Sequence, residues 1–271
     1  ITFFILGFLF FFLFAQIDFR IYQNLSWIFY LSGLILLFLT FVSGQVTRGS
    51  IRWIQIGQFT IQTSELAKPF LITFFAFFFA QREVRISLVF KGILFFLVPA
   101  FLIFKQPDLG STLVLGAGLI GILASSALSS GVVVAGILSL LIAIPGVWFL
   151  LAGYQRERIL TFLNPSSDPL GAGYNLIQAM ISVGSGQSFG RGLGKGTQSQ
   201  LAFLPERHTD FIFAAFSEEL GFVGVLILLS LYFFLLWRIL KVAQKTDQDF
   251  ARLFCLGIFT MLLFQIFINI G

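Results

Sequence analysis

Stretches such as "ILGFLFFFLFA" (5–15) and "WIFYLSGLILLFLTFVSG" (27–44) contain no charged residue, and nothing else in the chain restricts its fold so strongly. Side-chain surface of that extent calls for hydrocarbon as the solvent. There each backbone N–H and C=O must find a partner inside the protein, which leaves helices and closed barrels. Barrel strands alternate apolar and polar residues over about ten positions; these runs are unbroken and read as helices. Composition agrees: 58% of residues are hydrophobic and 11% charged, where soluble proteins hold ~45–50% and ~25%.

Apolar segments near 1–15, 27–44, 66–80, 90–104, 109–125, 131–152, 210–237 and 251–270 predict eight spanning helices. The fold class is all-α, a polytopic membrane bundle forming one transmembrane domain over 1–271. Several runs fall short of the ~20 residues that cross a bilayer; snorkelling flanks or local thinning accommodate them. The chain opens at Ile1 inside one apolar run and stops at Gly271 at the end of another, so we expect a fragment lacking both ends.

Short basic loops set the orientation. Arg82, Arg85 and Lys91 lie around the junction of the third and fourth runs, and Arg238, Lys241 and Lys245 follow the seventh. Both groups are expected on the cytoplasmic side. Four predicted helices separate them, an even number, so the two placements agree. Residues 45–65 and the polar stretch 153–209 then face outward. The net charge of +5 suits such loops and gives no reason to invoke nucleic acid. Cys255 is the single cysteine, so the chain forms no internal disulfide.

The stretch 153–209 is expected to be one large, folded extracytoplasmic loop. Loops beyond ~12–15 residues are usually functional or disordered, and here glycines alternate with apolar anchors. "NLIQAMISV" (175–183) predicts a short amphipathic helix at the membrane face. "GRGLGKG" (190–196) predicts tight backbone turns.

Ionisable residues concentrate where that loop meets the next apolar run. "FLPERHTDFIFAAFSEELG" (203–221) holds Glu206, Arg207, His208, Asp210, Glu218 and Glu219. One interpretation makes Thr209 or Asp210 a helix N-cap, but capping leaves Glu218 unexplained. Positions 210, 214 and 218 share a helix face, and Glu218 would lie ~12 Å deeper than Asp210. Intramembrane carboxylates normally face a polar cavity or a partner, so this helix is expected to form a cavity wall.

Residues 45–68 are the second unusual region. Trp53 suits an interfacial seat, Arg48 and Arg52 offer anion contacts, and Glu65 and Lys68 are spaced to pair. An interfacial belt with a local ion pair, or a headgroup or phosphate site, are both open. In "KQPDLGST" (105–112), Pro107 and Gly110 predict a sharp turn with Asp108 capping the next helix. Arg156, Arg158, Lys195 and Arg207 are either solvated edge charges or a diphosphate-binding surface. His208 has no companion for a metal site. A hard divalent ion, Mg or Mn, on Asp210 or Glu218 stays open with nothing to fix it. No P-loop, GxSxG or CxxC pattern occurs.

Four strings in this order, "IRWIQIG…IQTSELAK", "KQPDLGSTLV", "YQRERILTFLNPSSDPLGAGYN" and "GLGKGTQSQLAFLPERHTDFIFAAFSEELGFVG", resemble the SEDS family of bacterial cell-wall synthesis. The resemblance covers nearly the whole chain, and the last string looks like the RodA branch more than the FtsW branch. Thr63 departs from the family, which usually has proline there. The resemblance implies ten transmembrane helices in the bacterial cytoplasmic membrane, of which this chain would hold helices two to nine. It implies a peptidoglycan glycosyltransferase whose outer face polymerises lipid II, an undecaprenyl-diphosphate-linked disaccharide-peptide, during elongation and shape maintenance. It also implies a partner, a class B penicillin-binding transpeptidase.

The family's essential loop aspartate maps onto Asp210, which would act as general base on the acceptor sugar's C-4 hydroxyl. Arg52, Arg156, Arg158 and Lys195 are then candidates to stabilise the leaving diphosphate. Trp53, Glu65, Lys68, Asp108, His208 and Glu218 complete the set of candidate substrate-binding residues. Two rivals are a flippase for the lipid-linked precursor and a noncatalytic scaffold. The sequence holds no evident inverted repeat for the first, and the second leaves the His208–Asp210 cluster unexplained except as a cap.

Overall fold

The computed structural model describes residues 2–47, 50–56, 59–80, 86–126, 173–200 and 209–271, with isolated positions between 146 and 169. The predicted span at 131–152 lies outside the described residues except for three positions, and so do Arg48, Arg82, Arg85, Arg158, Arg207 and His208. The chain divides into two compact units, residues 1–132 with 239–264, and residues 133–238 with 265–271.

The first unit contains α1 (Thr2–Ala15), α2 (Phe19–Asn24), α3 (Ser26–Ser43), α4 (Thr63–Ala80), α5 (Ile86–Lys105) and α6 (Leu109–Ser125). The first five predicted runs are thus helices with ends moved by a few residues. Helices α4 and α5 are long and apolar enough to cross a membrane. Between α3 and α4 the all-α expectation needs a local correction. Strands β1 (Gln45–Thr47), β2 (Ser50–Ile56) and β3 (Phe59–Gln62) form an antiparallel sheet in that order, with Trp53 opposite Gln62. The segment carries Val46, Thr47, Ile51, Ile54, Ile56, Thr60 and Ile61, β-branched residues that suit a pleated surface. Strand pairing also satisfies backbone groups that an irregular loop beside a bilayer would leave open.

The core of this unit is aromatic. Phe74 of α4 lies 4.3 Å from Tyr30, 4.8 Å from Trp27 and 5.5 Å from Phe95, ring centre to ring centre. Such contacts add about 0.5–1.5 kcal/mol beyond the area they bury. Tyr30 also closes a gap in the backbone of α5. Pro99 has no N–H and so offers nothing to the Phe95 carbonyl four residues back. The Tyr30 hydroxyl donates to that carbonyl instead, at 3.0 Å. The hydrogen bond links α3 to α5 at the one point where proline leaves α5 short of a donor.

The second unit carries α7 (Tyr174–Ser185), α8 (Thr197–Gln200) and most of α9 (Ile212–Lys245); α10 (Asp249–Ile270) follows. Helix α7 is the helix predicted at 175–183. Both α9 and α10 are long and apolar enough to span. The seventh run was expected as one continuous helix over 210–237. It is broken instead at Gly221, whose φ of 65° and ψ of −167° fall in a region essentially restricted to glycine.

A broken helix leaves carbonyls on one side and N–H groups on the other without partners. The glycine loop supplies them. Arg191 and Gly192 donate to the carbonyls of Glu218 and Glu219 at 2.9 and 3.0 Å, while Phe222 and Val223 donate to those of Gln187 and Ser188 at 2.8 and 3.0 Å. The approach is too close for side chains. A Cβ at Gly186 would overlap the Ser217 carbonyl, one at Gly190 the Glu219 carbonyl, and one at Gly221 the Gly190 backbone. The predicted tight turns appear as positive φ at Gly190, Gly192 and Gly194.

Two stability outcomes follow from these contacts. Tyr30→Phe should lower stability in detergent by about 1 kcal/mol, the usual scale of a polar contact between membrane helices. Combining it with Pro99→Ala, which restores the missing donor, should remove most of that loss, and a double-mutant cycle on thermal midpoints measures the coupling. Gly221→Ala should cost about 3 kcal/mol through backbone strain and overlap, read from the same midpoints.

Candidate active site

Asp210 stands in the turn ahead of α9 and is exposed. The first turn of α9 closes on Phe211, whose carbonyl accepts from the Ala215 N–H at 3.1 Å. Among the described residues the Asp210 carboxylate makes no capping hydrogen bond, so capping does not account for it. Its backbone carbonyl accepts from Asn269 Nδ2 at 3.5 Å.

Glu218 is the opposite case. It has 0% exposure, and its Oε1 accepts from the Gln198 N–H at 2.8 Å and the Thr197 hydroxyl at 3.3 Å. Ala214 and Ser217 are buried with it, so the expected inward face exists. Asp210 lies outside the helix, however, and Glu218 binds chain where an open cavity was expected. Arg156 donates from Nε and a terminal nitrogen to the carbonyls of Trp148 and Phe149 at 2.9 and 2.8 Å, which commits it to the segment before it. Lys195, by contrast, is exposed. Arg191 is also exposed and donates to the Ser185 carbonyl at 3.2 Å.

The first unit builds its own polar set. Asp108, with 7% exposure, caps α6 by accepting from the Ser111 N–H at 3.0 Å, as its position before the helix predicts. Its second oxygen accepts from Gln62 Nε2 at 3.0 Å and the Ser64 hydroxyl at 3.3 Å. Arg52 on β2 donates to the carbonyls of Gln106 and Pro107, tying the sheet to the turn that presents Asp108. Gln106 in turn donates to the Leu37 carbonyl at 3.0 Å. One residue beyond Ser64, Glu65 pairs with Lys68 at 2.7 Å; the lysine side chain is 2% exposed and the glutamate 44%. A buried ammonium is costly unless paired and hydrogen-bonded, and Glu65 supplies that partner from a position open to solvent. Trp53 is half-buried in the sheet beside Arg52.

Arg52 and Asp108 therefore share one polar cluster at the turn before α6, and the Glu65–Lys68 pair begins one residue beyond Ser64. Gln62, Ser64, Gln106 and Ser111, which sequence reasoning did not single out, complete the cluster. The run "IQTSE" (61–65), polar at the foot of an apolar helix, was the available signal. Among the described residues no three His, Cys, Asp or Glu side chains converge as metal ligands.

The sequence profile of the family described as cell cycle proteins, FtsW/RodA/SpoVE, matches residues 1–271. The chain is 41% identical over 260 residues to the peptidoglycan glycosyltransferase MrdB of Escherichia coli K12, across 95% of this chain and 70% of that protein. It is 40% identical over 233 residues to stage V sporulation protein E of Bacillus subtilis, across 84% of this chain and 63% of that one. A solved structure described as structural coordination of polymerization and crosslinking by a peptidoglycan synthase complex superposes with a TM-score of 0.82 at 34% identity, covering 98% of this chain and 75% of its counterpart. Thermus thermophilus RodA gives 0.66 at 28% identity, covering 96% and 70%. The protein belongs to the FtsW/RodA/SpoVE family.

Proposed function

We infer that this chain is a peptidoglycan glycosyltransferase, a multi-pass enzyme of the bacterial cytoplasmic membrane, with Asp210 as its catalytic base. The observation that carries the assignment is the exposed Asp210 carboxylate, free of any capping role among the described residues. It stands in a chain that matches a peptidoglycan glycosyltransferase over 95% of its length. The substrate is lipid II, presented from the outer leaflet with its polyprenyl chain among the apolar helices. Asp210 takes the proton from the acceptor's C-4 hydroxyl, that oxygen bonds to the donor's anomeric carbon, and the bond to the diphosphate breaks. General-base assistance of this kind contributes about 10²–10⁴-fold.

Cations aimed at the leaving diphosphate lower the barrier further. In the second unit Lys195 is the exposed candidate; the contacts of Arg156 make it a support for its own segment. Arg52, Trp53, Glu65, Lys68 and Asp108 form a second polar group suited to the sugar or peptide of the substrate. Arg158 and His208 are candidates on sequence grounds. The chain supplies eight of the family's ten helices. Identity of 41% to MrdB, against 35% and 37% to two FtsW proteins, favours the elongation branch. The match to a synthase that couples polymerization and crosslinking supports a crosslinking partner of the class B penicillin-binding type. A broken membrane helix also suits a lipid carrier, so the assay must separate carriage from polymerisation.

Full-length protein reconstituted with lipid II alone should yield glycan polymer. Asp210→Asn should abolish it, a loss of at least about 100-fold, while the thermal midpoint moves by no more than a cap's worth, about 1 kcal/mol. Wild-type polymerisation by the folded Asn variant contradicts the base assignment. Lipid II transferred between leaflets of vesicles with no polymer formed favours the carrier.

A further inference from the structure

We propose that Glu218 is a positioning residue: its buried carboxylate holds the chain at Thr197 and Gln198 against the half-helix that follows Asp210, and so fixes where Asp210 stands without touching substrate. The proposal rests on the assignment of Asp210 as the base. It begins from the break at Gly221, which separates the half-helix 212–220 from the remainder of α9. Nine residues make a helix of ~13 Å, below the length at which helices hold themselves in water. The orientation of this piece must come from what it is bonded to.

Glu218 gathers those bonds. Its carbonyl accepts from the Arg191 N–H at 2.9 Å, and its carboxylate accepts from the Gln198 N–H at 2.8 Å. One residue thus anchors the segment 191–198 at both ends. The second bond also closes the chain from 198 to 218 on itself, with Asp210 inside the closed stretch. Joining the two ends of that stretch limits where Asp210 can stand. Because Glu218 has no accessible surface, substrate does not reach it. A carboxylate buried this far is tolerated when hydrogen-bonded, and taking the acceptor away leaves the part-buried Gln198 N–H without that bond. Carboxylate and amide therefore act as a pair.

The test uses full-length protein and steady-state polymerisation of lipid II, with thermal midpoints to establish folding. Glu218→Gln keeps an acceptor oxygen for the Gln198 N–H and should stay within about fivefold of wild type, the scale of one altered hydrogen bond. Glu218→Ala removes the acceptor and should lower kcat on the order of 100-fold, the cost of misplacing a catalytic group by about 1 Å. KM should be nearly unchanged, because no substrate contact is lost. Gln198→Pro deletes the donor from the other side, at a first-turn position where proline is tolerated, and should reproduce the kcat loss. It decides the matter if Glu218→Ala fails to fold. Three results overturn the proposal: Glu218→Gln as inactive as Glu218→Ala, a rise in KM at constant kcat, or an unchanged kcat in Gln198→Pro. Asp210→Asn in the same assay keeps the two ideas apart, since polymer formed there removes the base assignment and not the anchoring.

Discussion

An unpaired backbone group has nowhere to go in hydrocarbon, and this constraint shapes the described structure at its irregular points. Water that would hydrogen-bond a frayed turn is missing, so each interruption of a helix needs a partner from elsewhere in the chain. Pro99 interrupts α5, and the hydroxyl of Tyr30 answers at the Phe95 carbonyl. Gly221 interrupts α9, and four backbone bonds from the glycine loop answer on both sides of the break. Strands β1, β2 and β3 leave the helical bundle and pair with one another as a sheet. The two helix interruptions are matched by contacts distant in sequence, and the sheet by pairing within its own segment.

The start of α9 at Ile212 also separates two carboxylates that a helix begun at Asp210 would have placed in series. Asp210 lies before the helix and faces solvent; Glu218 lies within the half-helix and is sealed from it. Environment assigns work to carboxylates of similar chemistry. A solvated one can exchange protons with an incoming hydroxyl. A sealed one, bonded to a backbone N–H, serves as an anchor. In the proposed mechanism, activity depends on the second through the position of the first.

Features decided within a few residues could be read from sequence alone. The first five unbroken runs became helices, "NLIQAMISV" became α7, Asp108 became a cap, and Glu65 and Lys68 paired across one turn. What escaped was decided by distant partners. A lone glycine inside an apolar run is ordinarily tolerated by a helix, so Gly221 gave no warning; its conformation depends on Gln187–Gly192. The sheet was hidden because Trp53 and Arg52 read equally well as interfacial anchors, although β-branched residues pointed to strands. Glu218 was correctly placed inward. Its partners at 197 and 198 lie on a segment whose approach the sequence does not announce, which is why a cavity wall was the natural expectation.

The glycines bring the backbone of the loop directly against the backbone of the half-helix. Gly186 faces the Ser217 carbonyl, Gly190 the Glu219 carbonyl and Gly221 the Gly190 backbone, each with no room for a methyl group. Flexible side chains can yield to an intruding atom, whereas backbone in contact with backbone must move as a body. The three contacts flank Glu218, so any enlargement there displaces its peptide and, with it, the carboxylate that holds Gln198. If Glu218 anchors the segment as proposed, small residues at these positions belong to the same device. The "GRGLGKG" and "SEELGFVG" strings are two halves of one structural element, separated in sequence by the stretch that carries Asp210.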